Sequence, residues 1–164
     1  MSQIEIITFS APYQQQVIDL IVGIQSGEFG VDITAEDQPD LKDIPNYYQT
    51  ECGNFWIALD GTQVVGTISL LDIGNKQVAL RKMFVADKYR GKPLNIAQNL
   101  VNSATTWSQS HSITDIFLGT VPAYHAAHRF YEKNGFKRIQ PESLPANFPI
   151  MQVDKYFYWL VCKQ

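Results

Sequence analysis

VALRKMFVADKYRGKPLNIAQNL, residues 78–100, constrains the chain more than any other stretch. Up to Val85 or Ala86 it reads as an apolar, β-branched strand. A turn with Arg90-Gly91-Lys92 follows. A helix is expected from Pro93, because the N–H that proline lacks would be unpaired in a first helical turn anyway. Leu94, Ala97, Leu100, Val101, Ala104 and Trp107 then form one apolar stripe, a core-packing face. Free N–H groups at a helix start, beside a glycine that permits close approach, make an anion cradle. Lys88, Arg90 and Lys92 add positive charge to it. The chemistry nominates a phosphate or pyrophosphate. The same residues also describe an ordinary strand-to-helix turn with solvated lysines, and the stretch alone does not choose.

Upstream, NFWIALD, TQVVGTISLLD and QVALRKMFV read as an antiparallel meander over 54–86, with Asp60-Gly61 and Gly74-Asn75 as its turns. Downstream, TDIFLGTV is a buried strand reached through the helix, so it is expected to run parallel to the strand before that helix. A further helix from about Ala123 to Lys133 is stopped by Asn134-Gly135. FKRI is a short strand, PESLPANFP a loop with three prolines, and KYFYWLVCK a last, largely covered strand. At the other end, IEIITFS is a strand. Val17, Leu20, Ile21 and Ile24 mark an amphipathic helix ended by Gly27 and Gly30, VDITAEDQPD an acidic loop, and Asp40–Thr50 a short helix kinked near Pro45. The sum is an α/β chain: a mixed sheet of about seven strands flanked by about four helices, in a single domain spanning residues 1–164.

Composition narrows the function. With 164 residues, 45% of them hydrophobic, the chain can bury a core. Thirteen Lys+Arg against sixteen Asp+Glu leave a net charge of −3, with no basic excess to attract nucleic acid. The opening residues MSQIEIITFS lack the basic start of a signal peptide, and the apolar run Tyr156–Cys162 is far short of the ~20 residues a membrane span needs. Cys52 and Cys162 form no CxxC and no disulfide framework. A soluble, cytoplasmic protein with neither membrane nor nucleic-acid partners is expected.

Val85, Ala86, Asp87, Lys88, Tyr89, Arg90, Gly91, Lys92, Pro93, Leu94 and Asn95 resemble the V-x-P-x-x-R-G-x-G-x-[GA] motif of the GNAT N-acetyltransferases. Residues 127–136, AHRFYEKNGF, resemble a second block of that family, A-x-x-[FL]-Y-E-K-x-G-F, and FWIALDGTQVVGTISL its second and third strands. The resemblance covers roughly residues 54–139, with three blocks in the family's order. It implies a GNAT fold with strands four and five splayed, and acetyl transfer from acetyl-CoA, as co-substrate, to an amine by direct attack, with no metal. It places pantetheine along Met83, Phe84 and Val85, with the Val85 N–H on the thioester carbonyl. The pyrophosphate falls on Arg90, Gly91, Lys92, Pro93, Leu94, Asn95 and Ile96. Tyr131 matches the family's general acid, a phenol that is neutral at pH 7 and able to donate.

Three positions depart from the family. Pro93 stands where glycine is usual and removes one donor, a loss of about 1.5–3 kcal/mol if that bond is charge-assisted. Asn95 adds a side chain where the family keeps none. Tyr124 replaces an asparagine that often touches CoA, and would cover the cofactor with its ring instead. The fourth strand carries Arg81 and Lys82 rather than the usual glutamate, leaving water, Glu28 or Asp37 as candidate bases. The segment around Glu28 and Phe29 is the one the family uses to shape the acceptor pocket, and Arg81, if it faces the cleft, would favour an acceptor carrying a carboxylate. His125, His128 and Glu132 share a helical face, but three ligands on one short helix rarely close a metal site. The expected acceptor is a small-molecule or peptide amine. A catalytically weakened CoA- or partner-binding module is the alternative, and a homodimer through the C-terminal strands is compatible with either.

Overall fold

The computed structural model describes residues 3–162. In chain order the elements are β1 (Ile4–Thr8), α1 (Gln14–Val22), α2 (Ile44–Tyr47), β2 (Asn54–Asp60), β3 (Gln63–Gly74), β4 (Gln77–Val85), α3 (Ile96–Ser110), β5 (Asp115–Thr120), α4 (His125–Lys133), β6 (Lys137–Ile139) and β7 (Tyr156–Val161). They build one mixed sheet in the order β1-β2-β3-β4-β5-β7-β6. Among the described residues only the β4–β5 pair is parallel. Among the described residues no helix is long and apolar enough to cross a membrane.

Alternation along β2 explains why helices cover both faces of the sheet. Phe55, Ile57 and Leu59 join Val17, Ile18, Ile21 and Ile44 on one face. Trp56 and Ala58 join Ile96, Leu100, Val101 and Ala104 on the other. α3 lies close on the sheet because Gly66 has no side chain: a Cβ there would stand 3.1 Å from Leu100 Cδ1 and 3.2 Å from Ile96 Cγ2. A third cluster, including Ile73, Phe117, Phe148 and Phe157, pins the long loop between β6 and β7 to the sheet.

Two features of β4 set up the site. Its ladder with β5 runs only from Gln77–Ala79 to Asp115–Phe117, after which the strands part. On its other side, Thr67 faces Phe84 and Ser69 faces Arg81, so three steps on β4 match two on β3. The extra residue is a bulge at Lys82, which adopts φ 57°, an unfavourable region for a side-chain-bearing residue. Two buried hydroxyls hold it: Thr67 Oγ1 donates to Lys82 O and Ser69 Oγ to Arg81 O, both at 2.7 Å. The bulge bends β4 away from β5 and opens a cleft.

The start of α3 differs from expectation. The helix begins at Ile96, not at Pro93, because Asn95 takes a left-handed conformation (φ 51°, ψ 39°) that turns the chain before the first helical residue. Asparagine tolerates this region better than most residues. Pro93 therefore belongs to the preceding turn rather than to the helix.

Candidate active site

The turn after β4 is fastened from three directions. Arg90 Nε donates to Val85 O at 2.8 Å, and Tyr89 Oη donates to Asp60 at 2.6 Å. The Arg90 guanidinium grips Glu28 with two bonds of 2.6 and 2.8 Å and stands 5.9 Å from the centre of the Phe29 ring. Arg90 holds the Glu28 carboxyl below the usual carboxylate range. The sequence assigned Arg90 to the cofactor and Glu28 to the acceptor. They meet each other, so much of the positive charge expected of Arg90 is neutralised and the Glu28 carboxylate is engaged. Asp37, the other candidate base, accepts from the Thr34 N–H and hydroxyl in a local exposed turn.

What the turn offers an anion is its backbone. Among the described residues, the amides of Gly91, Lys92, Leu94, Ile96, Ala97 and Gln98 donate to no protein acceptor. Asn95 is different: its N–H is spent on Gly91 O at 3.1 Å, so it drops out of the donor set along with Pro93. Gly91 takes φ 79°, a left-handed conformation that glycine adopts without strain. The result is a cluster of free donors at the positive end of α3, with the exposed Lys88 and Lys92 close by in sequence.

Beyond this turn a cleft between β4 and β5 stands open to solvent. Of the residues singled out from the sequence, Arg81, Met83, Phe84, Tyr124 and Tyr131 line it. Val85 does not; its side chain belongs to the core with Ile96 and Leu100. Phe29 reaches the site through Tyr124, their rings 5.0 Å apart, and Phe84 packs on the same tyrosine at 6.0 Å. Tyr131 is buried, with its ring among Phe130, Phe136 and Tyr158. Its hydroxyl has no hydrogen bond within the protein, yet it is not among sealed-off polar atoms, so it opens onto the cleft. Burial raises its pKa well above the ordinary phenol value, and the negative Asp154 adds to this. Burial likewise pushes Tyr124 up to about 12.

Two charged residues in the cleft were missed as site residues. Lys82 Nζ is buried and bonds Gln38 Oε1, with Asp40 at 3.5 Å. Burial lowers its pKa to about 8 despite the neighbouring carboxylate. Asp154, from the loop before β7, faces β5 at Gly119, where a Cβ would stand 2.6 Å from its Oδ2. Burial raises its pKa to about 6, while Arg81 and Lys82 pull it down. No spacing or turn signal marks Asp154; its only distinction in the sequence is its position just ahead of a strongly apolar strand. The helical face of His125, His128 and Glu132 is occupied otherwise: Glu132 accepts from Tyr158 Oη at 2.9 Å, and His128 Nε2 donates to Val121 O.

The model of the acetyltransferase (GNAT) family matches residues 19–136. A solved structure from Staphylococcus aureus Mu50, an acetyltransferase of GNAT family, is 37% identical and superposes with a TM-score of 0.95 over 98% of this chain and all of its own. The PaiA N-acetyltransferase of Thermoplasma acidophilum, solved in complex with coenzyme A, shares the fold at a TM-score of 0.73 and 17% identity, over 96% of this chain and 98% of its own. N-acetylaspartate synthetase of Xenopus tropicalis is 36% identical over 104 residues, 61% of this chain but 37% of that protein, so the match spans well under half of that relative.

Proposed function

We propose that this chain, which belongs to the acetyltransferase (GNAT) family, moves an acetyl group from acetyl-CoA to a primary amine by direct attack. One observation carries the proposal: six unpaired amides lie just beyond a β4 that has no ladder partner past Ala79 on its β5 side. That is a diphosphate cradle joined to a strand edge that a pantetheine arm can pair with. The coenzyme A complex of the Thermoplasma relative supports the choice of cofactor, and the names of the relatives support an amine acceptor.

The donor set fits acetyl-CoA even without Pro93 and Asn95. Gly91, Lys92, Leu94, Ile96, Ala97 and Gln98 hold the diphosphate, and Met83, Phe84 and Val85 pair with the arm, the Val85 N–H facing the thioester carbonyl. When bound, the cofactor supplies an activated acyl thioester. The acceptor nitrogen forms the new C–N bond as the C–S bond breaks. Asp154 takes the ammonium proton that frees the nitrogen lone pair, the proton shed on C–N bond formation passes to solvent, and Tyr131 Oη delivers one to the departing sulfur. Tyr131 is available for this because a phenol is protonated at neutral pH and its hydroxyl opens onto the cleft. Tyr124, held between Phe29 and Phe84, walls the cleft.

Acetyl-CoA at a hundred times its Kd is expected to stabilise the protein by about 2.7 kcal/mol, read as a thermal shift. Free thiol should then appear when an amine panel is added. A shift without thiol release for any amine would leave a CoA-binding module. No shift at millimolar acetyl-CoA would overturn the transferase reading. Tyr131→Phe is expected to lower kcat by about 100-fold with CoA affinity unchanged; an unaltered kcat would remove Tyr131 from its role.

A further inference from the structure

The charges of the cleft are accounted for with two exceptions. Lys82 has Asp40 and Gln38, and Arg90 has Glu28. Arg81 has no carboxylate. Its Nη1 reaches Tyr47 Oη at 3.4 Å, its Nη2 reaches Met151 Sδ at 3.3 Å, and the group stands 5.8 and 5.9 Å from the rings of Tyr47 and Tyr48. These are neutral and weak partners for a group with five N–H donors in a planar fork. Asp154, the other exception, lines the same cleft and forms no ion pair with Arg81 or any other described residue. A cation with no carboxylate in contact and a carboxylate with no direct ion pair thus face a shared space without closing on each other.

Their placement separates them from the cofactor half. Arg81 precedes the bulge at Lys82, whereas Met83–Val85 and the free amides follow it. Arg81 therefore lies on the side of the bulge away from the diphosphate cradle.

We infer that the acceptor is an amino carboxylate, of which an α-amino acid is the simplest form, held with its carboxylate on the Arg81 fork and its amino group toward Asp154. This rests on the acetyl-transfer reading above and extends it to the chemical class of the acceptor. A guanidinium fork binds a carboxylate with two parallel bonds, which fixes orientation as well as charge. A simple amine would leave Arg81 unmatched in a partly dry cleft, at a desolvation cost. A polyamine would bring further positive charge against Arg81 and Lys82. A zwitterion matches both groups at once.

The test pairs L-amino acids with matched amines that lack the carboxylate, such as phenylalanine with phenethylamine. Turnover is measured by thiol release, and binding to the CoA-saturated protein by calorimetry. Removing the carboxylate is expected to lower kcat/KM, or the binding constant, by about 10- to 100-fold. Arg81→Gln is expected to erase the difference within each pair through KM, while Arg81→Lys keeps part of it. CoA affinity, measured on every variant, reports whether the fold is intact. CoA binding with equal use of both members of every pair would overturn the inference alone. So would an Arg81→Gln loss shared equally by both members. Absence of CoA binding in the wild-type protein would overturn the transferase reading and this one with it.

Discussion

Asp154→Asn is expected to lower kcat/KM for the acceptor by about 10²–10⁴-fold at pH 7, the range for losing a positioned proton acceptor. The carboxylate faces a cleft also lined by Arg81, Lys82, Tyr124 and Tyr131. Burial raises its pKa from the ordinary 3.8 to about 6. A base must be ionised, so wild-type kcat/KM is expected to rise with pH through about 6 and then level off. The variant, lacking the group, should show no such limb. Stability provides a separate readout. Between about 3.8 and 6 the folded chain binds a proton that the unfolded chain releases, so Asp154 makes stability fall as pH rises through that window. The amide removes this dependence, and the variant is expected to unfold no earlier than wild type at pH 7. A variant that folds normally and keeps both full activity and the acid limb would eliminate Asp154 as the base.

The contrast between Asp154 and Tyr131 shows what a sequence makes legible. Strands and helices leave periodic signals, so the meander over 54–86, the α3 stripe and the parallel β5 are readable. Tyr131 is nominated by a continuous block of the chain, residues 127–136. Asp154 reaches the cleft through tertiary folding: Phe148 anchors its loop in a cluster with Phe117 and Phe157, and Gly119 leaves room for its carboxylate. Neither contact is local. The same holds for the Arg90–Glu28 pair, separated by 62 positions, which ties together two residues that the sequence assigns to different subsites. The misplaced start of α3 has a different origin. Proline's preference for a first helical turn was outweighed by a left-handed Asn95, a choice that only the packed turn decides.

Asp40→Ala is expected to destabilise the fold by about 3–5 kcal/mol near neutral pH, the cost of stranding a buried charge. Asp40 and Lys82 are 4% and 8% exposed, and Tyr48, fully buried, donates to the same Asp40 oxygen at 2.5 Å. Without the carboxylate, Lys82 keeps only Gln38, and the Tyr48 hydroxyl loses its acceptor. Lys82 can limit the damage by shedding its proton. Burial already lowers its pKa from 10.5 to about 8, and Asp40 opposes that fall, so removing Asp40 lowers it further. In wild type, the unfolded chain holds this proton between about pH 8 and 10.5 while the folded chain does not, so stability rises with pH across that window. In the variant the rise starts at a lower pH. Its deficit in urea unfolding is therefore expected to be larger at pH 6 than at pH 9. Asp40→Ala combined with Lys82→Met removes both charges and is expected to recover most of the loss. If the double variant were as unstable as the single one, the cost would lie in lost packing around Tyr48 rather than in an unpaired ammonium. The pair joins the end of the acidic loop to the bulge that opens the cleft. Its contribution on this account is to fix where β4 departs from β5, which neutral side chains of the same length would leave less defined.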